Sequence, residues 1–170
     1  DNIVPEQFKP KLDEDREIDF SYNVPGIGRF RTNCFQHLGK WCLAMRHVVA
    51  DVPKIDSLGL PEIIKSIAEE HRGIVLVAGT TGCGKSTTLA GMIDHINSTQ
   101  KRHIITIEDP VEYVFEDKQS IIEQREVGLD TPSYQHSLKH AMRQDPDVIM
   151  VGEMRDATSF RAAMSAADTG

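Results

Sequence analysis

At 170 residues, 39 % hydrophobic and 26 % charged, the chain can form one ordinary domain or two small ones around a packed core, which excludes a disordered segment. A formal net charge of −7, with no run of Lys or Arg longer than two, excludes a general phosphate-gripping nucleic-acid surface, and no apolar stretch approaches the length of a membrane span. Three cysteines, Cys34, Cys42 and Cys83, without C-x-x-C spacing read as reduced thiols, and the opening Asp1-Asn2-Ile3-Val4-Pro5 lacks the blocks of a signal peptide, so a cytosolic protein is expected.

Up to about Asp51 apolar and polar positions alternate. The pattern predicts antiparallel strands over Glu17–Val24, Gly28–Gln36 and Lys40–Val49, with turns at Pro25-Gly26 and around Leu38-Gly39. The acidic run Asp13-Glu14-Asp15 reads as a solvated face. Residues 52–60 fit neither periodicity and have linker composition. From Leu60 the rhythm changes: Pro61 suits the first turn of a helix running to Glu70, with Ile63, Ile64, Ile67 and Ala68 on its apolar side. Strands at Ile74–Ala78, His103–Ile107 and Val148–Val151 then alternate with helices at Ser86–Asn97, Ser133–Arg143 and Asp156–Ala167. Such alternation predicts an α/β fold whose parallel strands are joined by right-handed crossovers, with a ligand at their carboxyl ends.

The segment Gly79-Thr80-Thr81-Gly82-Cys83-Gly84-Lys85-Ser86 is a complete G-x-x-x-x-G-K-[ST] loop between an apolar run and a helix. Glycines let successive N–H groups face one concavity, and the helix start adds its positive dipole, a setting for a nucleoside triphosphate such as ATP. Lys85 is expected at the β and γ phosphates, and Ser86, followed by Thr87, offers a hydroxyl to Mg²⁺. Two further segments end predicted strands in carboxylates. In Thr106-Ile107-Glu108-Asp109-Pro110, the proline stops the strand so that Glu108 and Asp109 stay at its tip, where an acidic group can deprotonate an attacking water. In Val148-Ile149-Met150-Val151-Gly152-Glu153, Gly152 takes the step at which most Walker B elements carry Asp, and Glu153 is read as a metal-holding acid, acting through a water, or else as a helix cap. His136 and His140, four apart on a predicted helix, have no third ligand in the sequence, and Trp41, Leu138, Ala141 and Met142 are expected to be packing positions.

These boxes, with Arg143-Gln144-Asp145-Pro146-Asp147 leading into the last of them, resemble the PilT branch of the type II/IV secretion ATPases, the motors that retract type IV pili. Gln124-Arg125-Glu126-Val127, Arg29-Phe30-Arg31-Thr32-Asn33 and Ala166-Ala167-Asp168-Thr169-Gly170 extend the resemblance over nearly the whole chain. It implies a partial PAS-like α+β domain at residues 1–51, a linker at 52–60 and a truncated RecA-like P-loop NTPase core at 61–170. It also implies a homo-hexameric ring that uses ATP and Mg²⁺, works in the cytoplasm at the inner-membrane pilus machinery and meets a platform protein there, without entering the membrane or binding nucleic acid. Glu108 matches the family's favoured general base and Glu153 its Walker B acid. Arg31 and Arg46, with Arg29 as a third candidate, match arginines that reach the phosphates; surface ion pairing is the alternative. Cys83 stands where the family usually has Ser, and family members extend beyond both ends of this chain, so a fragment is expected. A sister motor for pilus assembly or type II secretion, a non-hydrolysing accessory subunit and a P-loop kinase are the competing readings.

Overall fold

The computed structural model describes residues 3–48, 51–154 and 156–169. The chain divides into two units, 1–50 and 51–170. In the first, helix α1 (Lys9–Asp15) precedes an antiparallel meander of β1 (Glu17–Val24), β2 (Gly28–His37) and β3 (Lys40–His47). The alternation sets the register: Ile18 and Phe20 on β1 lie opposite Cys34 and Thr32 on β2 and point to one face, which Leu12 of α1 and Phe8 cover. Burial there pushes the Cys34 thiol up from its ordinary range. The sequence did not signal α1, whose Pro10 sits in the first turn and whose acidic run Asp13-Glu14-Asp15 is exposed.

On β3, Trp41, Leu43 and Met45 continue the apolar face opposite Gln36, Cys34 and Thr32, yet all three are exposed, Trp41 by 45 %. Trp41 is therefore not the packing position expected of it, because α1 covers β1 and β2 and β3 is the edge. The end predicted for that strand, Val49, lies outside the described residues.

The second unit opens with residues 55–58, a 3₁₀ turn in the segment read as a linker. Its Ile55 is buried against helix α3 (Lys85–Thr99), and Lys65 of helix α2 (Ile63–Ala68) pairs with Asp56. Three parallel strands follow in the spatial order β5 (Ile121–Glu126), β4 (His103–Glu108), β6 (Val148–Val151). One face carries Ile104, Ile122, Val148 and Met150 and packs on α2 and α3. The other carries Ile105, Ile107, Ile149 and Val151 and packs on α4 (Tyr134–Ala141) and α5 (Ala157–Thr169), where Leu138 and Ala141 are fully inside. Helices on both faces make near-continuous hydrophobic strands the natural solution, as in β4, which is buried from Ile104 onward.

One expected strand is missing and one unexpected strand is present. Residues 74–78 form no ladder with any described strand, and Ile74, Val75 and Leu76 are exposed: an apolar run becomes a strand only when a neighbour takes its N–H and C=O groups. Conversely, β5 was not anticipated. Only its first two residues are apolar, and the connection from β4, residues 109–120, contains no helix to announce a crossover.

Candidate nucleotide site

The phosphate loop enters α3 through Gly82 and Gly84, whose φ angles of +80° and +95° are open to glycine and rare for other residues. Gly84 is the N-cap, so no side chain caps the helix and its first turn contains no acidic residue. The N–H groups at the start of α3 thus lack the usual side-chain acceptor and add to the positive pole of a four-turn helix. Lys85 Nζ bends back over the loop and donates to the carbonyls of Gly79 (3.1 Å) and Thr80 (3.0 Å). Cys83 is exposed, and its Sγ lies only 2.5 Å from where a Cβ on Gly79 would stand, so the thiol is seated against the glycine that opens the loop.

The carboxylates arise from strand register. Along β4 the residues facing α3 are Ile104, Thr106 and Glu108, so that face turns from apolar to polar toward the carboxyl end. In register beside them on β5 stand Gln124 next to Thr106 and Glu126 next to Glu108. Glu108 is 6 % exposed and accepts three hydrogen bonds, from Thr106 Oγ1 (2.7 Å), Gln124 Nε2 (3.3 Å) and the Glu112 N–H (3.2 Å). Burial, which penalises the charged form, holds its pKa above the ordinary carboxyl range even though these hydrogen bonds oppose the shift.

On the other side of β4, the Gly152 N–H donates to Ile107 O (2.8 Å). A Cβ on Gly152 would lie 3.3 Å from Glu108 Cα. The glycine at the step where Asp is usual therefore lets β6 end flush against β4, and Glu153 follows at the same edge of the sheet. The hydroxyl of Ser86 and the carboxylate of Glu153 are hard oxygen donors, the kind Mg²⁺ takes, so the donor chemistry fits that ion.

The loop and the strand-end carboxylates are the residues that the sequence singled out, and comparison with known proteins shows the family. Residues 16–170 match the family model described as type II/IV secretion system protein. The chain belongs to that family. Similar to it is the type IV pilus retractation ATPase PilT of Pseudomonas aeruginosa, 44 % identical over 99 % of this chain and 49 % of the relative. A twitching motility protein of Neisseria gonorrhoeae is 48 % identical over 99 % of this chain and 45 % of its own length. A crystal structure of the pilus retraction motor PilT with bound ADP superposes with a TM-score of 0.95 at 50 % identity, over 99 % of this chain and 49 % of that one. The α/β fold is thus shared with that motor, and the chain spans about half the length of the relatives it matches.

Within this secretion-family chain, Lys85, Ser86 and Thr87 stand in the first turn of α3, Glu108 at the end of β4 and Glu153 just after β6, all in the second unit. Arg31 and Arg46 lie in the first unit, directly opposite one another on β2 and β3, with Arg29 two residues from Arg31 on the same face. His136 and His140 bring their ring centres to 4.4 Å on α4, the planes tilted by 42°. Sequence reasoning missed Thr106 and Gln124, which hold Glu108, and Tyr113, whose hydroxyl lies 3.2 Å from Thr87 Oγ1 in the first turn of α3. The available signal was the alternation of Gln124 and Glu126, two polar residues on one face of a short segment, legible only once β5 is known to be a strand.

Proposed function

We propose that this chain is the nucleotide-hydrolysing part of a pilus-retraction motor, its second unit a RecA-like core and its first part of a PAS-like domain. The observation that carries the reading is the first turn of α3, uncapped and free of acidic residues, on the sheet face whose polar end bears Glu108. Backbone N–H groups from Gly82 to Ser86 bind the phosphates of ATP, and Lys85 exchanges its carbonyl partners for β and γ oxygens. Ser86 and Glu153 hold Mg²⁺, which when bound offsets charge on those oxygens. Glu108 takes the proton of the attacking water; its position at a dry strand tip and its raised pKa suit a general base. Arg31 and Arg46 supply planar guanidiniums to the transferring phosphoryl group when the first unit closes on nucleotide. Work is done in a ring of six copies, at the membrane-bound pilus machinery and against a platform protein; among the described residues no helix is long and apolar enough to cross a membrane.

Nucleotide binding and phosphate release by the full-length protein test the reading. Lys85→Ala should lose most ATP affinity or turnover with an unchanged circular dichroism spectrum. Glu108→Gln should bind ATP and lose about 10²- to 10⁴-fold in turnover. Parent-like hydrolysis by Glu108→Gln would remove that residue as the base, and parent-like binding and hydrolysis by Lys85→Ala would remove the loop as the nucleotide site.

A further inference from the structure

The hydrogen bonds around Glu108 are not symmetric between its two oxygens. Oε1 accepts from Thr106 Oγ1 and from Gln124 Nε2, whereas Oε2 accepts only the Glu112 N–H among the contacts that hold it. Gln124 has no freedom to turn its amide over. Its Oε1 accepts from the Phe115 N–H (2.8 Å), which can only donate, and its Nε2 gives one hydrogen to the Tyr113 carbonyl (2.8 Å), which can only accept. A flipped amide would set donor against donor and acceptor against acceptor, so the second Nε2 hydrogen must point at Glu108. With two lone-pair sites per carboxylate oxygen, Oε1 is saturated and Oε2 keeps one site open.

We propose that Gln124 is a positioning residue for the general base: together with Thr106 it saturates Oε1 of Glu108, so that Oε2 is the atom that receives the proton from the attacking water. The inference rests on the reading of Glu108 as the base. In the step, one O–H bond of the water breaks and its proton goes to Oε2. The water oxygen keeps the electron pair and bonds to the γ-phosphorus, while the bond from that phosphorus to the bridging oxygen breaks and its electrons leave with ADP. A carboxylate with both oxygens open could rotate or share the proton between them; one with Oε1 tied presents a single lone pair in a single direction. The same amide fastens residues 113–115 to β5, and Tyr113 in that segment meets Thr87 at the start of α3. Gln124 therefore fixes the direction of the base and, through Tyr113, its setting relative to the helix that carries the phosphate loop.

The competing role for Gln124 is to close the loop between β4 and β5 and nothing more, and steady-state hydrolysis of ATP by the full-length protein separates the two. Thr106→Val removes only the hydroxyl donor to Oε1 at nearly constant volume and leaves the loop untouched; Gln124→Leu removes the amide. Both should lower kcat about 10- to 10²-fold with KM for ATP within about twofold, and Thr106→Ser, which restores the donor, should return kcat to near the parent value. In a Glu108→Gln background, Gln124→Leu should lower kcat no further, because its effect passes through the base. A parent-like kcat in Thr106→Val, or losses that add in full in the Glu108→Gln background, would overturn the proposal while leaving Glu108 as the base. Parent-like turnover in Glu108→Gln alone would bring down base and positioning residue together. Should Gln124→Leu fail to fold, Thr106→Val and its serine rescue decide the matter by themselves.

Discussion

Glu108 sets burial against hydrogen bonding, and the balance governs two different pH dependences. Burial raises its pKa, and the neighbouring Glu112 charge adds to the rise; hydrogen bonds from Thr106, the Glu112 N–H and Gln124 oppose it without cancelling it. With Glu108 as the proposed base, turnover needs the ionised form, so kcat should fall as pH drops through a midpoint above the ordinary carboxyl range. Stability has the opposite sign. Between the unfolded chain's carboxyl pKa and the raised folded value, the folded protein binds the proton and the unfolded chain does not, so stability declines as pH rises through that window. Glu108→Gln should flatten the slope, which thermal melts across the acid range would show; a slope unchanged by the substitution would mean that another group carries it. At this scale the sequence was most legible in the placement of contiguous motifs: Lys85 and Ser86 open α3 and Glu108 ends β4. It was least legible where a contact comes from a lateral neighbour: Gln124 is 16 residues from Glu108 in sequence, and only the parallel register of β4 and β5 puts it within reach.

Among the elements, alternation sufficed for the first unit because β1 and β2 each have one covered face and one solvated face, and two short turns fix the pairing of all three strands, although β3 itself stays exposed. It failed at β5, whose residues beside Thr106 and Glu108 are the polar Gln124 and Glu126, so that the usual apolar sign of burial is missing there. At residues 74–78 it misled in the other direction, since apolar composition does not supply a hydrogen-bonding neighbour. The junction of β4 and β6 is the element-scale counterpart of the carboxylate's tight setting. A methyl group at position 152 would press on Glu108 Cα at 3.3 Å and on Ile107 O at 3.4 Å, while the Gly152 N–H holds the last rung of the ladder. Gly152→Ala should push the two strand ends apart by a few tenths of an ångström and cost about 1–3 kcal/mol of stability, readable as a lower thermal midpoint. Because both carboxylates stand on those ends, turnover should fall by up to about 10²-fold even where the protein is fully folded. A lower midpoint with parent-like kcat would show that the ends can part without disturbing the chemistry.

For the molecule as a whole, the question is why two arginines should face each other across β2 and β3. Like charges directly opposite on a sheet repel, and Arg31 and Arg46 are both exposed, so neither contributes to the core. An arrangement that costs stability in the isolated sheet gains a rationale when an anion with several oxygens lies between the two guanidiniums, as the transferring phosphoryl group of ATP does under the proposed closure of the first unit. Arginine fingers in other phosphoryl-transfer enzymes are worth about 10³ to 10⁵ in turnover, whereas an exposed ion pair is worth about 0–1 kcal/mol. The two explanations thus differ by orders of magnitude in what a substitution should do. Arg31→Lys and Arg46→Lys keep the charge and lose the planar fork that bridges two oxygens, so each should lower hydrolysis by the full-length, assembled protein by at least about 10²-fold while leaving its melting temperature unchanged. Removing one arginine should, if anything, ease the repulsion, which makes a small rise in thermal stability beside a large loss of rate the signature of a phosphate-binding pair. Parent-like hydrolysis in both lysine variants would return Arg31 and Arg46 to the surface and leave the second unit to act on the phosphates without help from the first.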